Sequence, residues 1–588
     1  MSNIFNYIQE QEAGFANPIP LEEGWYWSFK DHVKRSFLYK NSQFEKNNDK
    51  RTKRPFKNIV RPILNIQYRT EGFDVKDIEL FIDNPDAYYK SFLVKKFHEK
   101  WALLNEMDTF IDQLVESYVD YGGVLVKNVK GVRPEIVDLR TITFCDQTDI
   151  LSGPFAIKHY LSPSQLREMA DKGWDEAAID LVVLKSEAHK QQDKEDNQAK
   201  TPGRYIEVYE VQNVKEMDYD ITSNDEDVYM YHVAFVSDQN GNTEGVVLNK
   251  KRVPDIDKLF KFLKRDPVQG RTLGFGGVEE LFEPQVWTNF AEIHGMGMLE
   301  HASKIWYKST DPKFKGQNLS NRDNGWVANL SGNTDISQID NTPRNLAAFD
   351  NKVIQMHEHA LEMGAASDLA LGRMPTSGTP FKSVERQLVE GNSLHKWRQG
   401  RIAVFVDEIY REWSIPHITK EIVKGSKFLS ELSSDEMVYI SQAVSRNVAN
   451  QKMKEALFNF NLDELSTENL AELQDLTSQE FARTGNKKFI EILKNEIKDE
   501  KVGVTTNIVG KQKDMDLLTD KMVNYVRQLI ATPEIRQDPE MVKHINQILE
   551  SSGMSPVSFG PRTLPAKQEG SASTQGLKEL AEADKSQT

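Results

Sequence analysis

Apolar positions recur at helical spacing through most of this chain, but in its first half the period switches repeatedly to two. From Asn58, Ile59, Ile63 and Ile66 stand four and three apart, which predicts a helix. A second helix is expected over 75–99, interrupted at Asn84-Pro85. A third is expected near 101–120, with Leu104, Met107, Ile111, Leu114 and Tyr118 on one face. Tyr121-Gly122-Gly123 then reads as a turn into a strand over 124–129, and Lys130-Gly131 turns the chain into Glu135–Asp138. Thr141–Phe144 and Ala156–Tyr160 are further short strands. Ser162-Pro163-Ser164 caps a helix ending near Lys172-Gly173. Residues 186–203 are polar and read as an exposed loop. Strands are expected at Tyr205–Val211, Val228–Ser237 and Val246–Asn249, with a hairpin tip at Asp238–Asn242.

The second half is more helical. Gly274-Phe275-Gly276-Gly277 precedes a long helix with Phe282, Val286, Phe290 and Ile293 on one stripe. Gly295 and Gly297 within it imply a kink or a closely apposed neighbour. A turn-rich insert with a strand at Trp326–Leu330 follows, then a helix from Lys352 to about Ala366. The run Leu371–Pro380 is a loop. A long helix after it carries Ile402, Phe405, Ile409 and Trp413 on one side and ends at Pro416. From about 432 to 550 the pattern is almost purely helical, and 551–588 has the composition of a disordered tail. The expected fold class is α+β, mostly helical.

Composition narrows the function classes. With 588 residues, 39% hydrophobic and 28% charged, the chain has material for several cores. A formal charge of -15 argues against a protein that wraps nucleic acid. A single cysteine, Cys145, excludes an internal disulfide or a cysteine-rich zinc site, and reads as a small buried strand residue. Neither a signal peptide nor a membrane-spanning apolar run is visible, so a soluble, intracellular protein is expected.

Catalytic patterns are sparse. Gly274-Phe275-Gly276-Gly277 lacks the Gly-Lys-Ser/Thr ending of a phosphate-binding loop, and no Gly-x-Ser-x-Gly run occurs. His357 and His359 are two apart on a predicted helix and face different ways. His294 and His301 are two turns apart, so packing or interface roles are expected of both pairs. Glu279-Glu280 fits the electrostatics of a helix start. The expectation is a non-enzyme with no catalytic residues, metal or cofactor. The basic run Lys46, Lys50, Arg51, Lys53, Arg54 and Lys57 is expected to be a solvated loop.

Residues 115–174 and 273–415 resemble the portal proteins of tailed double-stranded DNA bacteriophages. The pieces that carry the resemblance are Tyr121-Gly122-Gly123, Ile136-Val137-Asp138, Phe144-Cys145-Asp146 and the Ser162-Pro163-Ser164 helix after His159-Tyr160. Further along they are Gly274–Glu279, Pro284-Gln285, Asn289 and Gly372-Arg373-Met374-Pro375. The resemblance implies an N-terminal arm (1–54), an α/β wing (55–273), a stem helix (274–308) and a strand-containing clip (309–347). After these would come a second stem helix (348–370), a tunnel loop (371–382), a long wing helix (383–431), a helical crown (432–550) and the tail. It implies a ring, usually a dodecamer, at one capsid vertex of a virion assembled in the host cytoplasm. Double-stranded DNA would pass through it during packaging and ejection. Its partners would be the terminase large subunit, a head-tail adaptor and the major capsid protein, with no membrane. Arg373, Thr376, Ser377, Thr379 and Lys382 would face DNA from the tunnel loop. Two other readings remain: a virion structural protein without a DNA channel, and a metal-dependent nuclease.

Overall fold

The computed structural model describes residues 2–44, 55–82, 88–129, 133–195, 205–220, 225–237, 243–253, 256–314, 329–340, 345–366, 393–424 and 502–506, with isolated positions elsewhere. The fold is α+β. In chain order it begins with α1 (Ser2–Phe15), the hairpin β1 (Ile19–Glu22) and β2 (Trp25–Trp27), α2 (Phe29–Lys40) and α3 (Val60–Glu71). Then come β3 (Ile78–Ile82), α4 (Tyr88–Leu104), α5 (Met107–Tyr121), β4 (Gly123–Lys127), β5 (Glu135–Val137), β6 (Ile142–Phe144) and β7 (Phe155–Leu161). They are followed by α6 (Pro163–Glu168), α7 (Glu176–Glu195), β8 (Ile206–Lys215), β9 (Val228–Ser237), β10 (Thr243–Arg252) and β11 (Phe260–Lys264). The remainder is α8 (Gly277–Glu280), α9 (Phe282–Ala302), β12 (Trp306–Ser309), β13 (Ile336–Ile339), α10 (Leu346–Met363), α11 (Ser393–Ile409), α12 (Ile415–Lys424) and β14 (Val502–Thr506).

The chain divides into two compact units. One comprises Met1–Asp83, Val94–Ile422 and Lys501–Ile508, the other Asn84–Leu93, Val423–Glu500 and Val509–Thr588. In the second unit the described positions after 439 are helical, with Ile440, Val444 and Ala449 buried. The expected crown and tail otherwise lie outside the described residues.

The first unit is built around an antiparallel meander in the order β10-β9-β8-β7-β6. Alternation along its strands gives it two apolar faces. Val208 and Ala234 point to one side, where Ile179, Val182 and Val183 of α7 and Leu166 of α6 cover them. Tyr209, Val211, Tyr231 and Val233 point to the other, where Ile4, Tyr7, Ile8, Phe15, Trp27, Phe29 and Val33 pack. The stretch expected as an arm is therefore folded into this core as far as α2. Each such side chain contributes about 1.5–3 kcal/mol when fully buried, which an arm of exposed aromatics would forgo. The helix α7 also runs to Glu195, where an exposed loop was expected from 186.

A second core gathers α3, α5, α8, α11 and α12. The expected stripe Ile402, Phe405, Ile409 and Trp413 is buried in it. So are Met107, Ile111, Leu114 and Tyr118, whereas Leu104 is exposed and belongs to α4. The helix does not stop at Pro416. A π-turn at Tyr410–Ser414 widens the backbone just before it, and α12 continues to Lys424. The wider turn accommodates a ring that would collide with a carbonyl of a regular α-helix.

Residues 78–82 were expected as helix and are strand β3, paired antiparallel with β14 from Ile82↔Val502 to Ile78↔Thr506. The helical stretch expected over 432–550 thus contains a strand that belongs to the first unit. β12, which begins within the range expected as the stem helix (274–308), and β13, in the expected clip, form a two-stranded ladder from Trp306↔Ile339 to Ser309↔Ile336. The expected strand at 326–330 is not described in full.

Helix α9 is apolar on the wrong side for a core helix. The expected inward stripe has Val286 and Phe290 exposed, while Gln285, Thr288 and Asn289 are buried. The cause is the extended segment before α3. Gln285 accepts at Oε1 from the Ile59 amide (2.9 Å) and donates through Nε2 to the Lys57 carbonyl (2.7 Å), as a neighbouring strand would. Asn289 Oδ1 accepts from the Lys57 amide at 3.2 Å. Helix α10 packs along α9, with Leu346 at 3.8 Å from where a Cβ on Gly295 would stand. Gly295 thus meets a neighbouring helix, while Gly297 faces open space.

Candidate functional site

The two glycine runs singled out in the sequence meet each other. The Gly122 carbonyl accepts from the amides of Arg265 and Gly274, both at 2.9 Å. Gly122 has φ +79°, and a Cβ on Gly274 would stand 1.4 Å from the Arg265 carbonyl oxygen. Only glycine permits backbone to lie on backbone here. This contact fixes the loop leading into α8, and that loop carries the charges of the site.

Beneath it lies a buried ionic cluster drawn from five places in the sequence. Glu71, at the C-terminus of α3, is fully buried. Its Oε1 accepts from Arg265 Nη2 (3.1 Å), His395 Nδ1 (3.0 Å) and Arg398 Nη1 (3.4 Å). Glu280, in α8, pairs with Arg398 Nη2 at 2.8 Å and Arg265 Nη1 at 3.5 Å. Asp266 is a further partner of Arg398, and the Phe275 carbonyl accepts from Arg265 at 3.2 Å. Burial by itself would raise the Glu71 carboxyl. The His395 hydrogen bond and the Arg265 and Arg398 guanidinium groups outweigh it and hold the group below the usual carboxylate range. Burial likewise disfavours the Arg398 charge, and Glu280, Glu71 and Asp266 more than restore it.

The cluster joins the end of α10 to the start of α11. His395 Nε2 lies 3.2 Å from the Ala365 carbonyl, so both ring nitrogens face acceptor oxygens. Ala365 itself has φ +48°, and the preceding Gly364 carbonyl accepts from Gln67 at 3.2 Å. The end of α10 and the start of α11 are thereby fastened to α3. Arg373, Thr376, Ser377, Thr379 and Lys382, the expected DNA-facing residues, lie outside the described residues.

Glu279 and Glu280 do stand in the first turn of α8, as the sequence implied, but they have specific partners there. Arg271 grips Glu279 with two hydrogen bonds of 2.8 Å, and Glu280 belongs to the cluster. A second buried carboxylate sits in the meander. Glu210 accepts from Lys127 Nζ (2.6 and 2.7 Å), His159 Nε2 (2.8 Å) and Gln212 Nε2 (2.6 Å). Neither carboxylate was legible in sequence, where each is one acidic residue among many.

Chemically these arrangements position backbone. The carboxylate oxygens that make contacts are spent on guanidinium, ammonium and imidazole donors, which suits them to hold elements together. Among the described residues, no group of three or more His, Cys, Asp or Glu side chains is placed to hold a metal ion. His294 lies against Phe290 (4.2 Å between ring centroids) and stacks on Phe349 (6.5 Å). His357 is partly buried and His359 exposed. Cys145 follows β6 and its thiol is pushed up by burial. No helix among the described residues is long and apolar enough to cross a membrane.

No family model matches the chain, and no curated protein matches it. Among solved structures it is similar to a chain from the virion of a native gene transfer agent particle. The identity is 10% and the TM-score 0.31, over 74% of this chain and 98% of that one. At that distance the likeness assigns neither fold nor role.

Proposed function

We propose that this protein is the portal subunit of a tailed double-stranded DNA phage: a ring-forming, non-enzymatic virion component through which the genome is packaged and ejected. The observation that carries this reading is the path of the chain through α9, β12–β13 and α10. The chain leaves the α/β body by α9, pairs β12 with β13, and returns by α10. It then enters α11, whose start is joined through His395 to the end of α10 and to Glu71. That order is the one the resemblance implies, from wing to stem, clip, stem, tunnel loop and wing.

Helix α10 supports the reading. Asn351, Gln355, Glu358 and Glu362 recur four, three and four apart and are exposed, which gives it a polar stripe with two carboxylates, next to the exposed Ile354. A duplex would be repelled by such a wall and would slide past it, because tight phosphate contacts would stall it. Arg373, Thr376, Ser377, Thr379 and Lys382 would touch DNA from the loop above. Terminase, the head-tail adaptor and the major capsid protein would dock on the ring.

The reading is tested by native mass spectrometry of the purified full chain. A closed assembly of about a dozen copies supports it. A chain that stays monomeric or dimeric at high concentration contradicts it, and a divalent-metal-dependent cut of duplex DNA would then favour the nuclease alternative.

A further inference from the structure

We propose that Val502–Thr506 is a strap that lifts from the first unit and closes on it again while the rest of that unit stays folded. Such a strap would work in a single copy as in a ring. These residues form β14, which lies antiparallel on β3 and packs against α11 and the π-turn at Tyr410–Ser414. In sequence the Lys501–Ile508 segment that carries β14 is bracketed on both sides by stretches of the second unit, Val423–Glu500 and Val509–Thr588. Neither flanking stretch belongs to the first unit, so the ladder and the packing beneath it are what keep β14 there.

That hold is specific but small. Towards the core, Val504 stands opposite Leu80 and Val502 opposite Ile82. Leu80, Ile82 and Val504 are buried, and Val502 is partly so. On the other face Gly503 stands opposite Phe81, and a Cβ at 503 would lie 2.8 Å from the Phe81 ring. The ring therefore lies over bare backbone, which accounts for a phenylalanine that is 38% exposed on this strand. Cross-strand pairs of this kind are the unit of sheet stabilisation, and here the aromatic supplies the cover that glycine lacks. Phe81 is the clasp of the strap, and a side chain at 503 would displace it. Among the described residues this sheet has two strands, so β14 is held along one edge. By contrast β8 and β9 each run ten residues, and β8 is paired along both edges. Segments open locally according to the few contacts they make, so a five-residue strand held this way lifts more readily than the meander unfolds. Lifting it bares the β3 edge and the side of α11 that Val504 covers.

The test is hydrogen–deuterium exchange of the full chain, read on peptides covering β3, β14 and the β8–β9 ladder. The amides of β3 and β14 should exchange together, at least about ten-fold faster than those of β8–β9. Low urea should quicken β8–β9 steeply and β3–β14 little, because lifting a short strand bares little surface. Phe81→Ala should speed exchange in both β3 and β14 by a further factor of about five and leave β8–β9 unchanged. Gly503→Val, which displaces the ring, should act in the same direction. The wild-type comparison decides the matter even where a variant does not fold. Exchange in β14 at the rate and urea dependence of β8–β9 overturns the strap, since the strand would then leave only when the whole unit unfolds. Fast exchange in β14 with β3 as slow as the meander also overturns it, since a strap that lifts must bare its partner.

Discussion

His395 holds Ala365 from 30 residues away: its Nε2 lies 3.2 Å from the Ala365 carbonyl oxygen while its Nδ1 lies 3.0 Å from Glu71 Oε1. One imidazole thus joins the end of α10, the start of α11 and the end of α3. Replacing it by alanine removes a polar neighbour from the part-buried Ala365 carbonyl and from the buried Glu71 carboxylate, at about 1–3 kcal/mol in all. Thermal unfolding of His395→Ala should show that loss. Amide exchange at Ala366, whose N–H donates to Leu361, should quicken more than exchange in the β8–β9 ladder.

Arg265 is fully buried and serves Glu71, Glu280 and the Phe275 carbonyl. Arg265→Met removes the cation and leaves two acidic side chains to share Arg398. A loss of about 3–5 kcal/mol is expected in denaturant unfolding. Arg140→Met, which breaks a half-exposed pair with Asp138, should cost well under about 1 kcal/mol.

Acid should destabilise the fold in two windows. His98 is buried, and burial lowers its pKa from 6.5 to about 4. Between those values the unfolded chain binds a proton that the folded chain refuses. Stability therefore falls as pH drops through that window, by roughly 3 kcal/mol at most. His98→Gln keeps a partner for the Tyr410 hydroxyl and should make that slope shallower without abolishing it, because burial lowers His232 from 6.5 to about 4 as well. Glu71, whose folded pKa lies below its unfolded value, contributes stability that is complete above the ordinary carboxylate range. It is lost as pH falls through the folded value, below the His98 window. Urea midpoints measured from pH 8 to 3 separate the two.

The glycines are not equivalent. Gly274→Ala would drive a Cβ to 1.4 Å from the Arg265 carbonyl and should leave the chain insoluble or unfolded. Gly297→Ala meets nothing within 4 Å and should raise the stability of the unassembled chain by up to about 1 kcal/mol. Calorimetry of the two variants checks both.

Much of the fold was legible because it is local. The stripe Ile402, Phe405, Ile409 and Trp413 needs only its own period to reveal a buried face, and strands β4 to β9 announce themselves by alternation and turns. What failed is long-range. Ile78–Ile82 becomes a strand because Val502–Thr506 lies beside it, and no local pattern carries that pairing. Phe290 reads as core because its spacing is right, yet the inward side of α9 is taken by Gln285 and Asn289 holding the 57–59 backbone. The Glu71 cluster is spread over residues 71 to 398, so each member looks like an ordinary surface charge until the chain is folded. The glycine runs did point to the right neighbourhood, since both lie directly over that cluster.

The most direct test of the portal reading is negative-stain electron microscopy of the purified full chain, with class averages viewed down the symmetry axis. The account predicts closed rings of about a dozen subunits around a channel wide enough for a DNA duplex. Particles without a central hole, or open chains of subunits that never close, would contradict it.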